Sequence, residues 1–399
     1  MKPSVPPLLG IRVLDLARLL PGNVCSWLLA QLGAEIIKIE DPHGGDYGRW
    51  FPPRIGESSA FFQSVNRGKR SIILDLKHEP GRQALHRLVA SADVLLEGFR
   101  PGVMARLGCG YEELRLRNPR LIYCALSGWG QEGPYAQRSA HDLNYIAAAG
   151  LADHEDGQSH PPPTGQMADV GGAYLGAAGI LAALLRRERE DVGSFVDISL
   201  AEAALPFALI GWVETLARPQ TMSAPRRLSG GLAAYASYRA RCGRIVTLSA
   251  LEAKFWRRFA LAVGREDWLL VDHSEASRQD DLREELRALF ASKTAAEWET
   301  LLGPADCCFE VAAERAAPQE HPQHHAREML GIAADDAPWL RSPIHLRGTP
   351  PQPDLQQPAP RYGADTCAVL EEAGYSEAEL TALLASGAAV QLGNVPHTQ

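Results

Sequence analysis

The chain has 399 residues, more than a single core usually organises, which sets an expectation of two or three domains. Charged residues make up 22% and hydrophobic ones 46%, a soluble globular balance that excludes a disordered tail, a fibre and a coiled coil. The formal net charge is −8 with no run of five like charges, so no nucleic-acid partner is expected. The seven cysteines include no CxxC pair, which points to neither a zinc ribbon nor a disulfide framework. The first seven residues lack the apolar stretch of a signal peptide, and a cytoplasmic location is expected.

In chain order, segments 11–16, 34–40, 71–76, 93–99 and 121–127 read as strands rich in Ile, Val and Leu. Several are apolar on both faces, as buried parallel strands are. Helices are expected between them at 22–32, introduced by Pro21, and at 81–90, introduced by Pro80. This alternation implies an α/β domain with a mostly parallel sheet in Rossmann-like layers. The first strand is followed by Ala17-Arg-Leu-Leu-Pro-Gly-Asn rather than by GxGxxG, which disfavours a dinucleotide site. Residues 170–185 are apolar apart from Tyr174 and rich in Gly and Ala. They fall short of the ~20 residues a membrane span needs, and read as a core helix approached closely by other backbone. No membrane partner is expected.

From about Leu228 the pattern changes. Short strands at 233–240 and 244–249 join through Cys242-Gly243, and amphipathic helices follow from Glu252 and over 280–292 and 294–302. The expected division is a large α/β domain over 1–220, a smaller α+β domain over 225–330, and 331–399 as a linker and helices returning to the large domain. Six prolines between Arg341 and Arg361 predict an extended strap, and two short helices, 364–373 and 376–385, close the chain.

Three constellations carry chemistry. In Ser139-Ala-His-Asp-Leu-Asn-Tyr-Ile, Ser139 and Asp142 have capping-box spacing, which puts His141 in a first helical turn where the dipole favours a neutral, proton-accepting ring. The alternative is a histidine exposed at a helix start. In Met167-Ala-Asp-Val-Gly-Gly-Ala-Tyr, Asp169 stands where an N-cap is common, while Gly171 and Gly172 leave backbone N–H groups uncovered for a developing oxyanion. In Ser249-Ala-Leu-Glu-Ala-Lys-Phe-Trp, Glu252 again has capping-box spacing from Ser249. The histidines at 321, 324 and 325 lie in a Pro-broken loop without HExxH, so no metal is assigned to them. No GxSxG is present, and Asn66-Arg-Gly-Lys-Arg-Ser is a basic cluster that suits either solvent or a phosphorylated ligand.

Further segments carry a resemblance. They are Leu9-Gly-Ile-Arg-Val-Leu-Asp, Gln31-Leu-Gly-Ala-Glu-Ile-Ile-Lys-Ile-Glu, Asn66-Arg-Gly-Lys-Arg-Ser-Ile-Ile-Leu-Asp-Leu-Lys, Glu97-Gly-Phe-Arg-Pro-Gly-Val-Met, Asn118-Pro-Arg-Leu-Ile-Tyr and Ser127-Gly-Trp-Gly-Gln-Glu-Gly-Pro. With the constellations above, the sequence resembles the family III CoA-transferases (CaiB/BaiF type) and the 2-methylacyl-CoA racemases that share their fold. The resemblance implies a large α/β domain, a smaller domain, an interlocked homodimer, an acyl-CoA substrate, and no metal or prosthetic group.

In the transferases, the aspartate matching Asp169 is a nucleophile that carries acyl and then CoA. In the racemases, a histidine followed by Asp-Ile-Asn-Tyr matches His141, the aspartate matching Asp169 is the second acid/base, and a glutamate in Glu-Pro-Gln-Phe supports the histidine. Here that last segment reads Glu252-Ala-Lys-Phe. Lys77 and Arg106 match CoA-contacting positions; Leu74, in the same segment as Lys77, and Arg100 are further candidates. Asp169-Val-Gly-Gly and Gly230-Gly-Leu-Ala depart from the racemase pattern at the acyl pocket. The expectation is two-base epimerisation at C2 of a 2-methylacyl-CoA through an enolate. The alternatives are CoA transfer through an aspartyl intermediate and a CoA-binding protein without catalysis.

Overall fold

The computed structural model describes residues 5–152, 165–217, 227–270, 272–348 and 355–392. The chain forms two compact units, Met1–Ala208 with His324–Gln399 and Leu209–Gln323.

The first unit opens with β1 (Arg12–Asp15), α1 (Leu19–Gln31) and β2 (Glu35–Glu40), then a two-residue ladder of β3 (Arg54–Ile55) and β4 (Ser58–Ser59). There follow α2 (Ala60–Val65), β5 (Arg70–Leu74), α3 (Glu79–Val89), β6 (Val94–Glu97), α4 (Val103–Arg106), α5 (Tyr111–Arg117) and β7 (Ile122–Ser127). Next come α6 (Asp142–Ala148), α7 (Met167–Glu190), β8 (Ser194–Ser199) and α8 (Leu200–Ala217). The Pro residues act inside the first turns rather than before them, so α1 and α3 start two or three residues earlier than the Pro positions suggest.

The strands β5-β2-β1-β6-β7-β8 lie parallel in that order. All six residues of β7 are buried, which is why it reads as a continuous apolar run. One face of the sheet packs against α1 and α7 and the other against α3 and α5. Nine consecutive residues of α1, Gly22 to Ala30, are buried, so this helix is covered on every side. Glycines on α7 allow that closeness: a Cβ at Gly176 would stand 3.2 Å from Cys25 Sγ, and one at Gly179 2.8 Å from Val196. One face of the Gly/Ala-rich helix is therefore core, as its composition predicts, while Tyr174, Leu175 and Leu185 on it are exposed. Both α7 and α8 are long and apolar enough to cross a membrane by length and composition, yet they differ in burial. Helix α8 leaves Leu205, Phe207, Ile210, Trp212 and Leu216 more than half exposed.

The second unit holds β9 (Tyr235–Arg239), β10 (Ile245–Ser249), α9 (Ala253–Ala262), α10 (Gln279–Ala291), α11 (Ala295–Leu302) and β11 (Phe309–Val311). Its antiparallel sheet, ordered β11-β10-β9, packs on an aromatic core of Tyr238, Trp256, Phe259, Trp268, Phe290 and Trp298. After α12 (Pro322–Ala326), the chain forms the hairpin β12 (Leu330–Ile332) and β13 (Pro338–Leu340), then α13 (Thr366–Glu372), α14 (Glu377–Ala385) and β14 (Ala389–Val390). The strap expected between Arg341 and Arg361 includes 349–354, outside the described residues. Its later carbonyls accept bonds from Arg67 Nε at Leu355 (2.6 Å) and from Arg49 at Pro360 (3.0 Å). Strand β14 joins β5 antiparallel and closes the open edge of the main sheet, a role its two residues gave no hint of.

Candidate active site

The chain leaves β1 toward β2 and β5 on one side and returns through β6, β7 and β8 on the other, so the sheet switches direction between β1 and β6. Ligands of open α/β sheets bind outside the carboxyl ends of the strands at such a point. The segments there are Leu16-Ala17-Arg18-Leu19 after β1 and Gly98-Phe99-Arg100 after β6. A buried charge network supports the first of them. Lys38 Nζ donates to the Ala17 carbonyl (2.8 Å) and Asn23 Oδ1 (2.9 Å) and pairs with Asp46 at 2.9 Å. Asp46 accepts the Leu19 amide (3.0 Å), which holds Leu19 at φ 60. Burial works against both charges, yet each overcomes it: Lys38 rises above its usual value beside Asp15 and Asp46, and Asp46 falls to about 2 beside Lys38. Below lies Lys69, hydrogen-bonded to Ser26 and Asn66 and pushed down to about 7 by burial, Asp15 opposing.

The supported turn presents Arg18, paired with Asp41 and lying over the rings of Tyr47 and Phe99. No motif marks Arg18; its position after the first strand of an α/β alternation was the available signal.

His141 is the N-cap of α6, and its amide donates to Asn144 Oδ1 (3.0 Å). The expected cap, Ser139, lies two residues before it and instead accepts from Arg100 (2.7 Å). Asp169 is likewise inside its helix, in the first turn of α7 behind Gln166. Asp169 does not spend its side chain on the expected cap. The N-terminus of α7 is capped from elsewhere: Asp142 Oδ1 accepts the amides of Ala168 (2.7 Å) and Asp169 (3.0 Å). Burial and the neighbouring Asp142 raise Asp169 to about 6, while His141 pulls the other way. The two acid/base candidates are thus electrostatically coupled. Tyr145 anchors this corner. Its hydroxyl donates to the Ala140 carbonyl (3.2 Å), its ring meets Trp129 edge-on, and a Cβ at Gly128 would stand 2.2 Å from its oxygen.

One expectation is corrected. Gly171 and Gly172 do not hold free amides for an oxyanion, because they lie within the continuous helix α7. They are small because α8 is close: a Cβ at Gly172 would stand 2.3 Å from Leu200. With the Ala168 and Asp169 amides already bound by Asp142, the amides that helix geometry leaves open nearby are those of Asp142 and Leu143, at the start of α6.

The cationic candidates form a rim beyond the carboxyl ends of β5 and β6. Arg82 donates to the Lys77 carbonyl (2.8 Å) and packs near Gly108, two residues beyond Arg106. Arg106 sits over Gly102, and Arg100 reaches Ser139, two residues before His141. Lys77, Arg100 and Arg106 are exposed and have no carboxylate partner among the described residues. Leu74 differs: its side chain is 1% exposed in the core against β14, so it offers a ligand no side-chain contact. Glu252 belongs to the other unit, as the exposed N-cap of α9, where it faces Cys308. Ser249 does not cap that helix, its amide pairing with the Cys308 carbonyl. No group of three His, Cys, Asp or Glu among the described residues is placed to hold a metal.

The model of CoA-transferase family III matches residues 8–366. The chain belongs to that family. Among family members, the alpha-methylacyl-CoA racemase of Mus musculus is 32% identical, covering 94% of this chain and 95% of its own. The acetyl-CoA:oxalate CoA-transferase of Acetobacter aceti is 33% identical over 94% of this chain and 97% of its own. A crystal structure of a CAIB/BAIF family protein from Brucella suis, 28% identical, superposes with a TM-score of 0.80 over 93% of this chain and all of that one. Both racemases and CoA-transferases of this family are thus similar to the chain at nearly the same level, and the reaction has to be argued from its own residues.

Proposed function

We propose that this family III enzyme epimerises C2 of a 2-methylacyl-CoA by two-base proton transfer. The observation that carries the reading is an Asp169 raised to about 6 and tied by Asp142 to the helix start that His141 caps. A nucleophilic aspartate works best fully ionised, whereas a group that must both give and take a proton near neutrality works best with its pKa near the operating pH. One of the pair removes the α-proton from one face of C2, leaving a planar enolate. The other returns a proton to the opposite face, and the roles reverse with substrate hand. The enolate oxygen takes a hydrogen bond from the open amides of α6; one such donor lowers the barrier by ~3 kcal/mol. Lys77, Arg106 and Arg100 meet the phosphates of CoA, with Arg18 as a fourth cation beyond the sequence-based set.

We further propose that the working form is a homodimer. The apolar face of α8 supports this, since exposed patches of that kind mark interaction sites. Light scattering should give twice the 43.3 kDa chain mass; a monomer at working concentration would remove the proposal.

The reaction is tested with (2S)-2-methylacyl-CoA in deuterated water, with and without succinate, followed by mass spectrometry. Deuterium at C2 with CoA still on its original acid is the expected result, and His141→Ala should lower exchange ~10²–10⁴-fold. Succinyl-CoA formed without deuterium uptake would overturn the reading and make Asp169 a nucleophile, trappable by hydroxylamine only after acyl-CoA is added.

A further inference from the structure

Asp142 is the first residue of α6 and follows His141 directly. Its Oδ1 accepts two amides from the first turn of α7, that of Asp169 among them. The distance from His141 to Asp169 along the chain is 28 residues, yet one side chain, on the neighbour of the first and hydrogen-bonded to the backbone of the second, ties the two positions. Two helix N-termini converge on this carboxylate, each with a partial positive charge that favours it.

We propose that Asp142 is a positioning residue for the acid/base pair: its two hydrogen bonds register Asp169 against His141, and it brings a second negative charge beside the Asp169 carboxyl.

Three features support both halves. The titratable groups that act on Asp169 all come from α6 and its cap: Asp142 disfavours its ionised form, His141 favours it, and Tyr145 faces both carboxylates. On the α8 side, the residues packed against this end of α7 are Leu200, Ala203 and Phe207, none of them titratable. The sequence-level role of Asp142, closing a capping box with Ser139, is not the one it fills. Its side chain leaves its own helix and caps α7. A cap for α7 alone would be served as well by Asn or Ser, residues that do not bring a second negative charge beside Asp169.

The inference deepens the proton-transfer reading and rests on it only for the activity readout. The test compares Asp142→Asn, which keeps the accepting oxygen and removes the charge, with Asp142→Ala, which removes both. Protein labelled with ¹³C-aspartate is titrated by NMR, with Asp169→Asn identifying the Asp169 signal. The Asp169 midpoint should fall by about one pH unit in Asp142→Asn, the scale on which a like charge a few ångströms away acts. The acid limb of the exchange–pH profile should move with it, with no loss of melting temperature. Asp142→Ala should lower exchange by about two orders of magnitude beyond Asp142→Asn, as the loss of a positioning contact does. An unmoved midpoint in Asp142→Asn overturns the charge role, and Asp142→Ala as active as Asp142→Asn overturns the positioning role. If Asp142→Ala fails to fold, Asp142→Ser, with a shorter reach to the same amides, takes its place. Should the enzyme exchange no α-proton at all, the proton-transfer reading fails while the NMR midpoint still decides the charge role.

Discussion

Substituting Asp169 with Asn should stabilise the protein, and by an amount that depends on pH in a defined direction. Asp169 is raised from 3.8 to about 6 by burial and by Asp142. A raised carboxyl means the folded state binds the proton more tightly than the unfolded chain. The contribution to stability is therefore fully present below the unfolded value and lost as pH climbs through about 4 to about 6. A shift of roughly two pH units at ~1.36 kcal/mol each gives about 3 kcal/mol held against folding at neutral pH. Asp169 is partly exposed, and water reduces this to about 1–3 kcal/mol. Asn has nearly the same shape and leaves the amide bond to Asp142 intact, so the difference reports the charge. The assay is the melting temperature of both proteins from about pH 3.5 to pH 7.5; at roughly 2 °C per kcal/mol for a chain of this size, the variant should melt several degrees higher at the upper end and equally at the lower. Two results would refute the reasoning: no gain near neutral pH, or a gain that persists at about pH 3.5. The first would mean Asp169 is well solvated, and the second that the gain is packing.

The remaining predictions concern binding, packing and the supporting carboxylate. Arg106→Ala and Lys77→Ala should each raise KM for acyl-CoA about tenfold with kcat within twofold, because a phosphate contact distant from C2 is made equally in ground and transition states; a fall in kcat alone would argue against the rim. Gly128→Ala should lower both melting temperature and exchange, since its Cβ meets the Tyr145 oxygen at 2.2 Å, and adding Tyr145→Phe should restore part of both by removing that oxygen. A double variant no better than the single would place the strain elsewhere. Glu252→Gln should lower exchange ~10-fold at constant melting temperature if the carboxylate serves the histidine as family resemblance implies, and an unchanged rate would leave it only its place at the α9 cap.

What the sequence discloses here follows from which forces are local. Buried parallel strands such as 121–127 are legible because burial on both faces leaves a continuous apolar run, and α7 because close helix packing demands Gly and Ala at 176 and 179. Strand β14 is not legible, since two residues acquire their extended pairing only once β5 offers an edge. The site divides along the same line. Residue type and motif single out His141 and Asp169, and family resemblance the exposed cations, but the roles of their neighbours depend on contacts across the chain. Ser139 was expected to cap its own helix, and binds Arg100 because Arg100 arrives from the end of β6. Asp142 was expected to serve α6, and serves α7 because the two helix starts converge. The glycines after Asp169 suggested an oxyanion site, and instead accommodate Leu200 and Phe207. In each case the local pattern marked the right residue as special and assigned it to the wrong partner. Capping motifs and glycines state that a backbone group needs satisfying or a space must stay open; which element does so is decided by the topology. Arg18 is the complementary case. It has no local signature, and only the reversal of strand order between β1 and β6 puts it at the sheet end where open α/β folds bind ligands. A site placed where two strand ends and two helix starts meet is specified by the fold as much as by its motifs, and the chain is accordingly similar to racemases and to CoA-transferases alike.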